Sequence, residues 1–138
     1  MKKLIILPLL LGAAIFAAIF FLSPPKSDSD FLKKALCDHY SSFKSLADYL
    51  TADPSVTFID DKDAKKNEDI KEDYNTVNEA GILSISSKNG LVIFNTGYQP
   101  NTSSEQYIIY SPKGKPADYP DAFDAGKDGW YLAEGKKQ

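Results

Sequence analysis

The apolar residues of the chain begin as one unbroken block. Leu4 to Leu22 is a run of 19 residues without a charge, which as a helix would span roughly 28 Å, close to the ~30 Å hydrocarbon core of a bilayer. Pro8 lies near its start, where helical N–H groups lack intrahelical acceptors, so it does not interrupt the predicted helix. The pattern predicts a membrane anchor, or an uncleaved signal, within residues 1–22.

The residues that flank this run predict its orientation. Two lysines precede it, whereas Lys26 with Asp28 and Asp30 follows it, so the positive-inside rule places the N-terminus in the cytoplasm. We therefore expect a bacterial inner-membrane protein with a periplasmic C-terminal domain. The alternative is a cleaved secretory signal and a secreted periplasmic protein, although the end of the run offers no good small-x-small cleavage site.

The polar part of the chain opens with a linker and a helix. Residues 23–29 form a short, proline-stiffened linker without an apolar anchor, and residues 30–138 are predicted to form one soluble domain. Ser29 and Asp30 provide N-cap chemistry for a helix that ends before Asp53. Its apolar positions recur at spacings of three and four: Leu32, Leu36, Tyr40, Phe43, Ala47 and Leu50.

A second helix and a hairpin follow. A short β-type run ends at Ile59, and a charged stretch leads to a second helix, for which Gly81 is the expected C-cap. The apolar period then changes to two on both sides of Asn89-Gly90, which predicts a hairpin with a two-residue type I′ turn. With strands predicted at 106–110 and 129–133, the fold class is α+β: two helices packed on a three- to four-stranded antiparallel meander.

The hairpin register predicts which side chains share a face. If Lys88 lies opposite Leu91, one face is apolar and forms the core, and the other is polar except at Leu91 and Ile93. The predicted core face carries Leu83, Ile85, Val92 and Phe94. In the next strand, Tyr107 and Ile109 point one way, and Ile108 and Tyr110 the other. A sheet that is apolar on both sides is covered on its second face either by the chain's own loops or by a partner.

Charge narrows the class of partner. Without Lys2 and Lys3, 14 lysines stand against 19 acidic residues, about −5, and the chain contains no arginine. Phosphate-tracking surfaces are usually basic and favour the arginine fork, so we expect no nucleic-acid partner. The single cysteine, Cys37, has no second cysteine in the chain with which to form a disulfide.

Motifs for catalysis and for cofactors are absent from the sequence. Cys37 and His39 would diverge by roughly 200° on a helix and form no thiolate–imidazole pair. The acidic residues after Ile59 approach a calcium-loop frame, but Lys65 and Lys66 occupy positions that need a ligand and a glycine. We expect no cofactor, no metal site and no catalytic role.

The aromatic residues of the C-terminal third point to an interface, because tyrosine and tryptophan anchor contacts at low entropic cost. The predicted partner-binding residues are Leu91, Ile93, Tyr107, Tyr110, Trp130 and Tyr131. The leading hypothesis is an anchored domain that binds another protein, in one version as an inhibitor or immunity-like module. Two alternatives are a small envelope hydrolase that uses Asp121 and Asp124, and a structural subunit of an envelope complex.

Overall fold

The computed structural model describes residues 28–97 and 104–136, which form an α+β domain with four helices and a six-stranded antiparallel sheet. The predicted anchor, residues 4–22, lies outside the described residues. Within the described ranges, none of the helices combines the length and the apolar composition needed to cross a membrane.

The helices and strands have the following bounds. The helices are α1 (Asp28–Asp38), α2 (Tyr40–Ala52), α3 (Asp61–Lys66) and α4 (Lys71–Glu79). The strands are β1 (Phe58–Ile59), β2 (Ser84–Lys88), β3 (Leu91–Asn95), β4 (Ser104–Tyr110), β5 (Phe123–Asp124) and β6 (Trp130–Lys136). Their order in the sheet is β1-β2-β3-β4-β6-β5.

The first predicted helix is broken into α1 and α2 at His39, whose φ of −123° and ψ of 29° leave the helical region. The turn stays hydrogen-bonded: the His39 N–H donates to the Ala35 carbonyl at 3.1 Å, and the His39 carbonyl accepts from the Phe43 N–H at 3.1 Å. The apolar spacing continues through the break, so the sequence pattern did not indicate it. The C-terminal end before Asp53 is confirmed.

Helix α3 was not predicted because six residues are too few to show an apolar period. Asp60 caps it by accepting a hydrogen bond from the Asp63 N–H at 2.6 Å, and Asp61 pairs with Lys65 at 2.8 Å. The N-cap aspartate and the oppositely charged pair four residues apart can both be read from the charged stretch of the sequence. Ala64, the only buried residue of α3, attaches the helix to the core.

The C-terminal end of α4 confirms the predicted glycine cap. Gly81 has a φ of +111°, its N–H donates to the Asn78 carbonyl, and the Ile82 N–H reaches back to the Val77 carbonyl, both at 3.1 Å. These are the two hydrogen bonds of a Schellman motif. Ile82 is buried in the same core cluster as Val77.

The hairpin is confirmed together with its register. Lys88 lies opposite Leu91, and both turn residues have positive φ, 53° at Asn89 and 81° at Gly90, as a type I′ turn requires. One predicted core position is wrong: Leu83 is 68% exposed. It lies just before β2, where its N–H still donates to Asn95 but its side chain lies against Gly97 at the end of the sheet.

The sheet is larger than predicted and is not a simple meander. Two-residue strands, β1 and β5, add an edge on each side, and β6 inserts between β4 and β5. The predicted four-strand limit was wrong because such short strands are held by their neighbours and carry almost no periodicity of their own. β5 lies between the strands predicted at 106–110 and 129–133, where no further strand was predicted.

The core lies between the helices and one face of the sheet, which we call the inner face. One cross-strand row on this face is apolar from edge to edge: Ile59, Ile85, Phe94, Ile108, Leu132 and Phe123. Against it pack Leu32 and Leu36 of α1 and Phe43 of α2, all buried. Each such buried side chain contributes roughly 1.5–3 kcal/mol. The Ser42 hydroxyl also donates to the Asp73 carboxylate at 2.9 Å, which ties α2 to α4.

Candidate functional site: the outer face of the sheet

The face of the sheet opposite the helices, here the outer face, has its own apolar surface. Strand pairing aligns Phe58, Ser86, Ile93, Ile109 and Tyr131 in one cross-strand row. Side chains directly opposite each other in antiparallel strands share a face and lie about 4.5–5.5 Å apart at Cβ. The row therefore carries an apolar or aromatic side chain on β1, β3, β4 and β6, with Ser86 on β2 and Asp124 on β5.

The segment between β4 and β5 covers part of this face. Ala122 is buried with Ile109 and Ala133, and the rings of Tyr119 and Tyr107 meet edge to face with centroids 5.8 Å apart. The expectation that the chain's own loops cover the second face is therefore fulfilled over β4 and β6. It is not fulfilled at the β1 edge, where Phe58 is 51% exposed.

The apolar and aromatic side chains of this face that stay at least partly accessible are here called the outer patch: Phe58, Leu91, Ile93, Tyr107 and Tyr131. Ser86 lies between Phe58 and Ile93 in the row. Four members of the outer patch are half-buried, so each keeps some accessible surface while its position is fixed by neighbours. Side chains that are already ordered lose less conformational entropy when they are covered by a partner. The patch is therefore suited to binding.

A hydrogen-bonded group fixes one end of the outer patch. The Tyr107 hydroxyl donates to the Glu105 carboxylate at 2.7 Å, and the Asn95 side-chain amide donates to the same oxygen at 3.2 Å. Burial, followed by this hydrogen bond and the negative charge of Glu105, raises the pKa of Tyr107 to about 12. The phenol thus stays protonated and keeps its hydrogen bond over the physiological range.

Carboxylates border the outer patch. Glu105 shares the outer face with Tyr107, Asp124 is the cross-strand neighbour of Tyr131, and Asp118 precedes Tyr119. Burial, with a smaller effect from the Asp118 charge, raises the pKa of Tyr119. Lys88 lies opposite Leu91 at the tip of the β2–β3 hairpin and places a positive charge at that end of the outer face. Three carboxylates thus lie around the covered half of the outer face. The covering segment also carries the exposed lysines Lys113 and Lys115.

Two of the predicted contact residues lie on the inner face. Trp130 is 0% exposed and sits in an aromatic cluster with Phe43, Phe94 and Tyr110, whose ring centroids lie 5.0–6.2 Å from its own. Its indole N–H has no hydrogen-bond acceptor among the described residues. Tyr110 packs against this cluster and carries the Lys44 ammonium 5.1 Å from its ring centroid. The structure thus separates these two residues from Leu91, Ile93, Tyr107 and Tyr131.

Sequence reasoning missed Phe58 and the role of Tyr119. The signal for Phe58 was available: in a strand, neighbours point to opposite faces, and Ile59 is a natural core residue. Once Ile59 is buried at the inner face, Phe58 must face outward. Tyr119 gave no such signal, because only the tertiary fold brings residues 111–122 back over the sheet.

The remaining candidate residues lie apart. Asp121 is exposed in a turn, and the Asp124 carboxylate accepts the Gly126 N–H at 2.7 Å, which holds the β5–β6 turn. This geometry gives the hydrolase hypothesis no support.

Cys37 is exposed on α1, and His39 lines a shallow cavity of about 300 Å³ between α1 and the end of α4. In the described part of the chain, no three His, Cys, Asp or Glu side chains converge to hold a metal ion.

Comparison with known proteins found no protein-family model that matches the chain and no similar curated protein or solved structure.

Proposed function

We propose that the protein is a binding module of the bacterial envelope: residues 4–22 hold it in the membrane, and the outer patch binds another protein. The observation that carries the proposal is the cross-strand row of accessible apolar side chains on a face that the chain covers only in part. Phe58, 51% exposed, extends the accessible apolar side chains of that row to the β1 edge, and accessible apolar surface spread over several strands is typical of interaction sites.

Charge supports a partner with a basic rim. The chain carries 19 acidic residues, and Glu105, Asp118 and Asp124 border the outer patch. Complementary charges at a rim steer association more than they add affinity. An inhibitor or immunity-like module that covers a cationic protein surface is the specific form that this arrangement favours, and its association should slow as ionic strength rises.

The test is crosslinking and capture of the partner from solubilised membranes with full-length protein as bait. Phe58→Ser should reduce capture at least fivefold, because an aromatic side chain covered by a partner is worth about 1 kcal/mol or more. Leu83→Ser is the matched control: Leu83 is 68% exposed but lies outside the outer patch, so capture should not change.

The unfolding midpoint of each variant distinguishes a loss of binding from a loss of folding in this test. Both side chains are largely exposed, so neither substitution should shift the unfolding midpoint appreciably. Equal capture by wild type and by a folded Phe58→Ser/Tyr131→Ser double variant would show that the outer patch is not the binding surface.

A further inference from the structure

One side of the helix layer brings lysines and aromatic rings together. The Lys33 ammonium lies 5.7 Å from the ring centroid of Phe123, and the Lys127 ammonium lies 4.9 Å from that of Tyr40. Cys37 is exposed one turn after Lys33 on the same side of α1. We call this surface the α1 flank: Lys33, Cys37, Tyr40, Phe123 and Lys127.

The two lysines of the α1 flank keep their charge available. Lys34, Lys44 and Lys65 each pair with an aspartate on their own helix. Within the described residues, neither Lys33 nor Lys127 forms an ion pair. The two ammonium groups stand beside exposed aromatic surface, Phe123 being 42% exposed. Asp124 and Asp128 directly follow Phe123 and Lys127 in the sequence, so the flank offers two local cations beside aromatic rings and not a uniformly basic surface.

The length of chain before α1 limits where this flank lies. Five residues, 23–27, separate the apolar run that ends at Leu22 from Asp28 at the start of α1. Fully extended, this tether reaches roughly 20 Å. If the run is in the membrane, the first turn of α1 stays within that distance of the lipid surface, and Lys33 follows little more than one turn later.

We propose that the α1 flank lies against the anionic phospholipid headgroups of the membrane that holds residues 4–22. Lysine ammonium groups attract anionic headgroups, and aromatic rings favour the headgroup region of a bilayer. This proposal rests on the membrane tether of the proposed function. The helices pack on the inner face of the sheet, so this orientation turns the outer patch away from the lipid and toward a protein in the periplasm.

The test uses the single native cysteine. Full-length protein, labelled with a fluorophore at Cys37, is reconstituted in phosphatidylcholine/phosphatidylglycerol vesicles that contain a headgroup-nitroxide lipid. The label should be quenched, and Lys33→Glu/Lys127→Glu should reduce the quenching at least threefold. Lys62→Glu/Lys66→Glu on α3 makes the same change in charge at exposed positions away from the α1 flank and should leave it unchanged.

A second label position fixes the orientation. In a Cys37→Ser/Lys88→Cys variant, the label sits on the outer face and should stay unquenched. Quenching at position 88 equal to that at Cys37, or quenching that does not respond to Lys33→Glu/Lys127→Glu, overturns the proposal. Protein that floats with the vesicles while Cys37 is unquenched also overturns it but leaves the tether intact. Protein that fails to float overturns both the tether and this proposal, whereas capture through the outer patch is tested independently.

Discussion

At the scale of single residues, Tyr107 links the outer patch to a titration that can be measured. Its pKa is raised to about 12, first by burial and then by the hydrogen bond to Glu105. In the unfolded chain a tyrosine titrates near 10. The folded state thus binds this proton more tightly than the unfolded state does. The protonated phenol therefore adds to the free energy of unfolding; this contribution is complete below pH 10 and is lost as pH rises toward 12.

We expect the free energy of unfolding of the wild type to fall more steeply between pH 10 and 12 than that of Tyr107→Phe. Urea unfolding at a series of pH values measures the difference, and both proteins carry the same other titrating groups. Parallel pH curves for the two proteins would mean that Tyr107 ionises as freely in the folded state as in the unfolded state.

At the scale of elements, the end of α4 depends on one backbone conformation. Gly81 has a φ of +111°, and a Cβ there would meet no atom within 4 Å, so the cost of a side chain is conformational and not steric contact with neighbours. Gly81→Ala should lower the free energy of unfolding by about 1–2 kcal/mol, measured by urea denaturation. Lys71→Ala, in the exposed first turn of the same helix, should cost less than about 0.5 kcal/mol. Equal losses of unfolding free energy in Gly81→Ala and Lys71→Ala would mean that the backbone conformation at Gly81 is not the cause.

The elements also show where pattern reasoning succeeded. The Asn89-Gly90 turn and the period-two runs beside it determined the hairpin and its register, because turn chemistry and strand alternation are local properties. The short β-type run that ends at Ile59 is confirmed as β1, whereas the break at His39 and strand β5 were missed, because no local preference is strong enough to specify a one-residue break or that two-residue strand.

At the scale of the whole molecule, two consecutive residues of β6 point to opposite faces of the sheet. Trp130 faces the helices and is 0% exposed, whereas Tyr131 faces outward in the outer patch. Trp130→Ala should cost about 3–5 kcal/mol, since it removes the centre of the aromatic cluster, a large share of the 5–15 kcal/mol typical of a domain. Tyr131→Ala should cost about 1 kcal/mol and reduce partner capture.

Urea unfolding followed by far-ultraviolet circular dichroism measures both variants without relying on tryptophan fluorescence. The informative quantity is the difference in the free energy of unfolding between Trp130→Ala and Tyr131→Ala. A Tyr131→Ala variant as unstable as Trp130→Ala would mean that the outer face is a second core, closed by the segment of residues 111–122, and not a binding surface.

The sequence by itself determined the features that follow from local pattern: the α+β class, the helix ending before Asp53, the Gly81 cap, the hairpin and the alternation of faces along β4. It also carries the apolar run at 4–22 on which the expected membrane tether rests. Only the tertiary structure decided which face each aromatic residue occupies. Trp130 and Tyr131 are adjacent aromatic residues in the sequence, and their opposite environments follow from pairing with β4 and from the helices, which come from distant parts of the chain.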